Sequence, residues 1–330
     1  MKPRMLLALC LAFLGHYAAA ADTCQQAAGP DCYRSFDVPQ AGGKLNYYAS
    51  MPAGAAPTRA LIAMHGHPRD ANRTFDASLK AVNNAAVQDT TLVVAPVFQV
   101  AAADAGKCHA PGTPDAQPGD LLWTCSSWLE GGASANGEHI TSFAAMDAMV
   151  AEVAARWPSL RGITVAGFSA GGQMVQHYIA FARPPANAPV LRYVVADPGT
   201  WLYFDPRPGA EACPGINRWK YGTEGLPQNL GRNAAEARAA YVAADIQYLE
   251  GALDSASGPG TAYRVLDKSC SAMAQGPYRL QRGEAFFEYD RTVLGPGRPR
   301  TLTVVPGCAH DVACVFPSDT ARAALLGTMP

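Results

Sequence analysis

Short apolar runs, each broken off by glycine or proline, constrain this chain more than any other feature. They are Ala60–Met64, Thr91–Ala95, Ile163–Ala166, Leu191–Ala196, Ile246–Leu249 and Thr301–Val305. Each is too short for a buried helix, and none alternates with polar residues as a half-exposed strand would. Between them, residues 74–88, 139–156, 172–181 and 232–244 repeat apolar positions at helical spacing, and residues 318–326 can form a last helix. Strands buried on both faces and separated by helices imply an α/β fold with a mostly parallel central sheet and helices on both faces. Lys44–Ala49 reads as an early strand. Pro96 is expected to stop the strand before it, and residues 22–43 read as an irregular arm.

Lys2 and Arg4 precede an apolar stretch, Met5–Leu14, and small residues at 18–21. This is the layout of a secretory signal peptide over residues 1–21, leaving residues 22–330 as a single domain. The apolar stretch is too short to span a bilayer, so no membrane association is expected after cleavage, and the protein is expected to be secreted or periplasmic. Removing Lys2 and Arg4 takes the net charge from −1 to −3, which gives no electrostatic case for nucleic acid. Of nine cysteines, Cys10 lies in the leader. The other eight read as disulfides in an exported chain, with proximity suggesting Cys24–Cys32, Cys108–Cys125 and Cys308–Cys314 and leaving Cys213–Cys270. A composition 49% hydrophobic and 16% charged excludes a largely disordered chain. Residues 98–137 and 201–230 lack periodicity and read as long inserted loops.

The sharpest local signal is Gly167-Phe168-Ser169-Ala170-Gly171, directly after an apolar strand and before a helix. A turn this tight lifts Ser169 off the sheet, glycines at 167 and 171 leave room for neighbouring backbone, and the helix start aims free N–H groups at developing negative charge. A serine hydroxyl needs a base. Among the histidines past the leader (65, 67, 109, 139, 177 and 310), His310 follows the last strand on a short loop between Cys308 and Cys314. The carboxylate that orients it is expected between Ser169 and His310 in chain order, at Asp254 after the strand ending near Leu249, with Asp197 in reserve and Glu250 and Asp311 as remaining candidates. Two backbone donors for an oxyanion are expected at Ala170 and His67, with His65 and Gly66 shaping the turn after Met64. A metal reading of His65 and His67 with Asp70 has no specific spacing behind it; no metal or cofactor is called for.

Taken together, His65-Gly66 after an early strand, GFSAGG at 167–172, an acid after a later strand and a histidine after the last one resemble the α/β-hydrolase superfamily. Within it the chain is similar to the exported polyester-depolymerase and feruloyl-esterase-like serine hydrolases, with poly(aspartic acid) hydrolase as a closer relative. That resemblance implies the α/β-hydrolase fold and hydrolysis through an acyl-enzyme. The group acts on poly(3-hydroxybutyrate), on acetyl or feruloyl esters, and in some members on the amide polymer poly(aspartic acid). The chain lacks a substrate-binding module with a Ser/Thr-rich linker, which points to soluble oligomeric or polymeric esters handled by a monomer or weak homodimer. The alternatives are a polyamide or peptide-bond hydrolase and a non-catalytic secreted binding protein on the same scaffold. Trp123, Trp128, Trp201, Tyr203, Phe204 and Trp219 are expected either to wall a groove or to pack the loops. Arg69, Arg73, Lys107, Arg207, Arg218 and Lys220 favour an anionic substrate if several line that groove.

Overall fold

The computed structural model describes residues 24–327; the leader falls outside them. Eight strands form one sheet: β1 (Tyr33–Val38), β2 (Gly43–Ala49), β3 (Arg59–Met64), β4 (Thr91–Val97), β5 (Gly162–Phe168), β6 (Val190–Ala196), β7 (Ile246–Gly251) and β8 (Leu302–Val305). Their spatial order is β1-β2-β4-β3-β5-β6-β7-β8. Only the β1–β2 and β2–β4 pairs are antiparallel; the rest of the sheet is parallel. The longer helices are α1 (Ala71–Asn84), α2 (Ser142–Arg156), α3 (Ala170–Phe181), α4 (Ala234–Ala243) and α5 (Arg279–Tyr289). This is the α/β-hydrolase fold, with inserted loops.

The unbroken apolar runs follow from two cores, one on each face. Ala60, Ile62 and Met64 of β3 face one core with Met146, Val150, Met174 and Tyr178, while Leu61 and Ala63 face the other with Phe75, Val82 and Phe316. The same alternation runs through β4, β5 and the Tyr193–Ala196 end of β6, where every position is buried. Thr141 caps α2 by accepting from Ala144 N–H, and Asn233 and Glu236 form a reciprocal capping box on α4.

Three expectations are corrected. The arm at 22–43 contains β1, an edge strand whose Phe36 and Val38 turn inward while its remaining side chains stay more open. β4 runs through Pro96 to Val97. Its pairing with β3 ends at Val94, so past that point a residue without an N–H interrupts no ladder on that side. The terminal helix covers only Arg322–Leu326 and follows a separate turn, Val312–Val315. All four expected disulfides are present, Cys213–Cys270 included. Among the described residues no helix is long and apolar enough to cross a membrane.

Candidate active site

The parallel strands bring three distant segments to the carboxyl edge of the sheet. β5 ends at Phe168, and Ser169 takes φ 59° and ψ −122° before α3 begins at Ala170. A serine held there is strained, and the surroundings impose it: Ser169 N–H donates to Ala196 O at 2.9 Å, and Gln173 N–H to Ser169 O at 2.9 Å. The backbone packs so closely that a Cβ on Gly167 would lie 2.1 Å from Gly171 O, and one on Gly171 would lie 2.4 Å from Met64 O. The glycines are therefore required by backbone contact, as the motif implied.

His310 follows β8. Its main-chain N–H donates to Gly260 O at 3.0 Å, and the Cys308–Cys314 disulfide closes the loop around it. The imidazole Nε2 lies 2.7 Å from Ser169 Oγ, and Nδ1 lies 2.7 Å from Asp254 Oδ2. With Nδ1–H donating to the carboxylate, Nε2 keeps its lone pair to accept from the serine hydroxyl. Burial holds the imidazole below its ordinary pKa, against the opposing hydrogen bond from Asp254, so the neutral base is favoured. The Phe168 ring packs on it with centroids 4.9 Å apart.

The structure thus brings Ser169, His310 and Asp254 into one hydrogen-bonded chain. Asp197 is not the histidine's partner. It is fully buried at the end of β6, accepts Gly251 N–H at 2.8 Å and lies behind Asp254. Glu250 is also fully buried, and its carboxyl lies against Gly283 of α5. Asp311 caps the turn after His310 by accepting Ala313 N–H and pairs with Arg73 at 2.6 Å.

Ala170 and His67 both line the cleft over Ser169, and among the described residues neither backbone N–H has an acceptor. The Ala170 N–H is one of the free donors that begin any helix. His67 sits on the loop after β3, which Asp70 braces by accepting Gly66 N–H at 2.8 Å. His65 holds this loop from below: its Nδ1–H donates to Gly66 O at 2.8 Å, and its Nε2 accepts Phe98 N–H at 3.2 Å. Both ring nitrogens are thereby used by the main chain, and burial pushes the imidazole down to about 4. His65 shapes the turn and has no nitrogen left for a metal.

The loop aromatics line no groove. Trp123 and Trp128 are fully buried against Phe98, Trp201 stacks on Phe286 at 4.4 Å, Trp219 packs on His177, and Tyr203 and Phe204 join the same core. The cations expected at the groove divide. Arg69 is buried and ties the His67 loop to the 98–137 insertion through Cys108 O and Gln99 Oε1. Arg207 lies over the Tyr203 ring, and Arg218 does not reach the cleft. Arg73, Lys107 and Lys220 do line the cleft, each beside a carboxylate: Asp311, Asp104 and Glu130 respectively. The cleft itself, about 500 Å³, sets apolar Leu129, Phe168, Val265, Leu266 and Val312 beside charged residues that include Asp70, Glu130 and Asp267. The residue most clearly missed from sequence is Arg279, at the start of α5, whose guanidinium reaches Asp254.

The fold, with this edge of its sheet, is the α/β-hydrolase fold. No protein-family model matches the chain, and no curated protein does. Solved structures match in fold. Poly(aspartic acid) hydrolase-1 from Sphingomonas sp. KT-1 superposes with a TM-score of 0.61 at 22% identity, covering 89% of this chain and 98% of its own. A poly(3-hydroxybutyrate) depolymerase from Bordetella parapertussis gives 0.62 at 21% identity, covering 94% and 95%. Both are relatives in fold.

Proposed function

We propose that the protein is an exported serine hydrolase that cleaves ester bonds of soluble oligomeric or polymeric substrates through an acyl-enzyme. The observation that carries this is the pair of 2.7 Å contacts joining Ser169 Oγ, His310 and Asp254. His310 Nε2 takes the hydroxyl proton as Ser169 attacks the ester carbonyl. Asp254 accepts from Nδ1–H throughout and offsets the imidazolium charge. The oxyanion is met by the N–H groups of Ala170 and His67. The imidazolium then protonates the departing alcohol, and the same base activates water to release the acid.

The cleft walls favour an uncharged acyl chain over a polyanion. Most of their exposed surface is apolar, and the cations present are offset by neighbouring carboxylates, so little net positive potential is left to draw in a substrate such as poly(aspartate). Four disulfides suit an oxidising compartment and agree with the leader. Labelling of the disulfide-intact protein with a fluorophosphonate, with S169A as control, and hydrolysis of p-nitrophenyl acyl esters beside poly(aspartate) test this. Labelling lost in S169A and turnover of esters are expected. Ester turnover by S169A at the parent rate overturns the mechanism, and cleavage of poly(aspartate) alone overturns the substrate class.

A further inference from the structure

Behind Asp254 lies a group of buried charges that the serine–histidine chemistry does not itself consume. Ala196 of β6 stands opposite Leu249 of β7, so the next residues along, Asp197 and Glu250, are neighbours. Both are fully buried. Asp197 Oδ1 accepts Gly251 N–H, but Asp197 Oδ2 and both Glu250 oxygens have no donor. Two adjacent carboxylates shut off from water cannot both ionise, so at least one proton is held between them. Burial, then the Asp254 charge, pushes Asp197 up to about 7; burial, then the Asp197 charge, raises Glu250 well above the usual carboxylate range. In mildly acidic solution the pair therefore holds its protons and leaves Asp254 as the ionised carboxylate beside the imidazole.

Arg279 supplies the matching cation. Its Nη1 donates to Thr261 O at 2.7 Å and lies 3.4 Å from Asp254 Oδ1, with the side chain almost wholly buried. The adjoining Leu280 N–H donates to the Asp254 carbonyl at 3.2 Å. One turn on, a Cβ at Gly283 would stand 2.1 Å from Glu250 Oε1, so the same stretch of α5 presses on both carboxyl groups. With Asp254 ionised, Arg279 offsets it, and the buried guanidinium disfavours a second positive charge on the imidazole. The other charges near His310 are Asp70, from the loop after β3, and Asp311, which Arg73 offsets.

We propose that Arg279 is a positioning residue that holds Asp254 and, by placing a buried positive charge beside it, keeps His310 neutral and able to accept the serine proton in mildly acidic solution. This rests on the reading of Ser169, His310 and Asp254 as catalytic.

Fluorophosphonate labelling and p-nitrophenyl acetate hydrolysis are measured from acid to alkaline pH for the parent, Arg279→Met and Arg279→Lys. Removing the cation favours the imidazolium, so the acid limb of Arg279→Met is expected to move up by about one pH unit, about a tenfold loss of neutral base below the midpoint. Arg279→Lys is expected to restore the parent midpoint even if its plateau is lower. A lower plateau with an unmoved midpoint in Arg279→Met overturns the proposal and leaves a merely structural arginine. If Arg279→Met does not fold, Arg279→Gln, which keeps a donor for Thr261 O without the charge, takes its place: a midpoint moved up supports the proposal and an unmoved one overturns it. A parent unlabelled at every pH sinks the catalytic reading instead, and NMR titration of His310 in parent and Arg279→Met then decides on Arg279 alone.

Discussion

Gly171→Ala is the sharpest perturbation of the turn that presents Ser169. A Cβ at this position would lie 2.4 Å from Met64 O and 2.5 Å from His65 O, both main-chain atoms of β3 and the loop that follows it. Ordinary contact begins at 3.4 Å. The start of α3 must therefore move away from β3 by about 1 Å, because neither carbonyl can swing aside. Alanine returns at most about 1 kcal/mol of helix propensity, whereas overpacking of this kind costs about 1–3 kcal/mol, so a net loss of stability is expected. The larger effect is kinetic. The shift carries Ser169 and the Ala170 N–H relative to His310 and His67, and a displacement of about 1 Å costs about a hundredfold in rate, or about 2.7 kcal/mol of barrier. Steady-state kinetics on p-nitrophenyl acetate and urea unfolding measure both quantities. Gly29→Ala, with nothing within 4 Å of its Cβ, is the control and is expected to change stability by under about 0.5 kcal/mol. A Gly171→Ala protein with parental kcat and parental unfolding midpoint refutes the claim that backbone contact here sets the geometry of the serine.

Asp254→Asn is expected to leave the fold near intact while lowering kcat by about ten-thousandfold, since an amide can hold the imidazole in the wrong tautomer; a thermal melt beside the kinetics separates the two effects. Removing Cys213–Cys270, which spans 57 residues, should cost about 4 kcal/mol of stability, and removing Cys308–Cys314, which spans 6, about 2 kcal/mol; denaturant midpoints of the two double-serine variants should rank in that order. A carboxyl group raised on folding adds stability that is present below its unfolded pKa and is lost as pH rises through the folded value. Asp197, raised to about 7 by burial and by Asp254, therefore lowers the parent's melting temperature between about pH 4 and 7, and Glu250→Gln, whose amide can donate without a titrating proton, should flatten that slope. An unchanged slope in Glu250→Gln counts against the shared proton.

What could be read in the sequence was whatever periodicity and strand ends announce. The six apolar runs became strands because both faces of the central sheet are covered, and Ser169, Asp254 and His310 could be placed because each stands just past such a run. β1 escaped notice because an edge strand with one covered face has only Phe36 and Val38 to mark it, amid polar neighbours. α5 escaped because Gly283 interrupts its helical pattern and because Arg279 and Arg282, nearly all buried, look like solvent-facing residues in a sequence. The loop tryptophans left groove and core equally open, since a large ring serves either; their burial decided for the core.

The charges behind Asp254 were hidden for a different reason. The relay residues are each identified by position along their own strand, whereas the Asp197–Glu250 contact exists only through the register of β6 against β7, and Arg279 joins it only because α5 docks over both. A shift of the β6–β7 register by one residue would turn one of these carboxyls toward the opposite face and leave Asp254 where it is. The serine–histidine–aspartate geometry and the charge that tunes it are therefore specified by different features of the chain. The pH midpoint of catalysis should accordingly respond to Arg279 independently of the nucleophile's position, and the elbow glycine should alter rate without moving that midpoint.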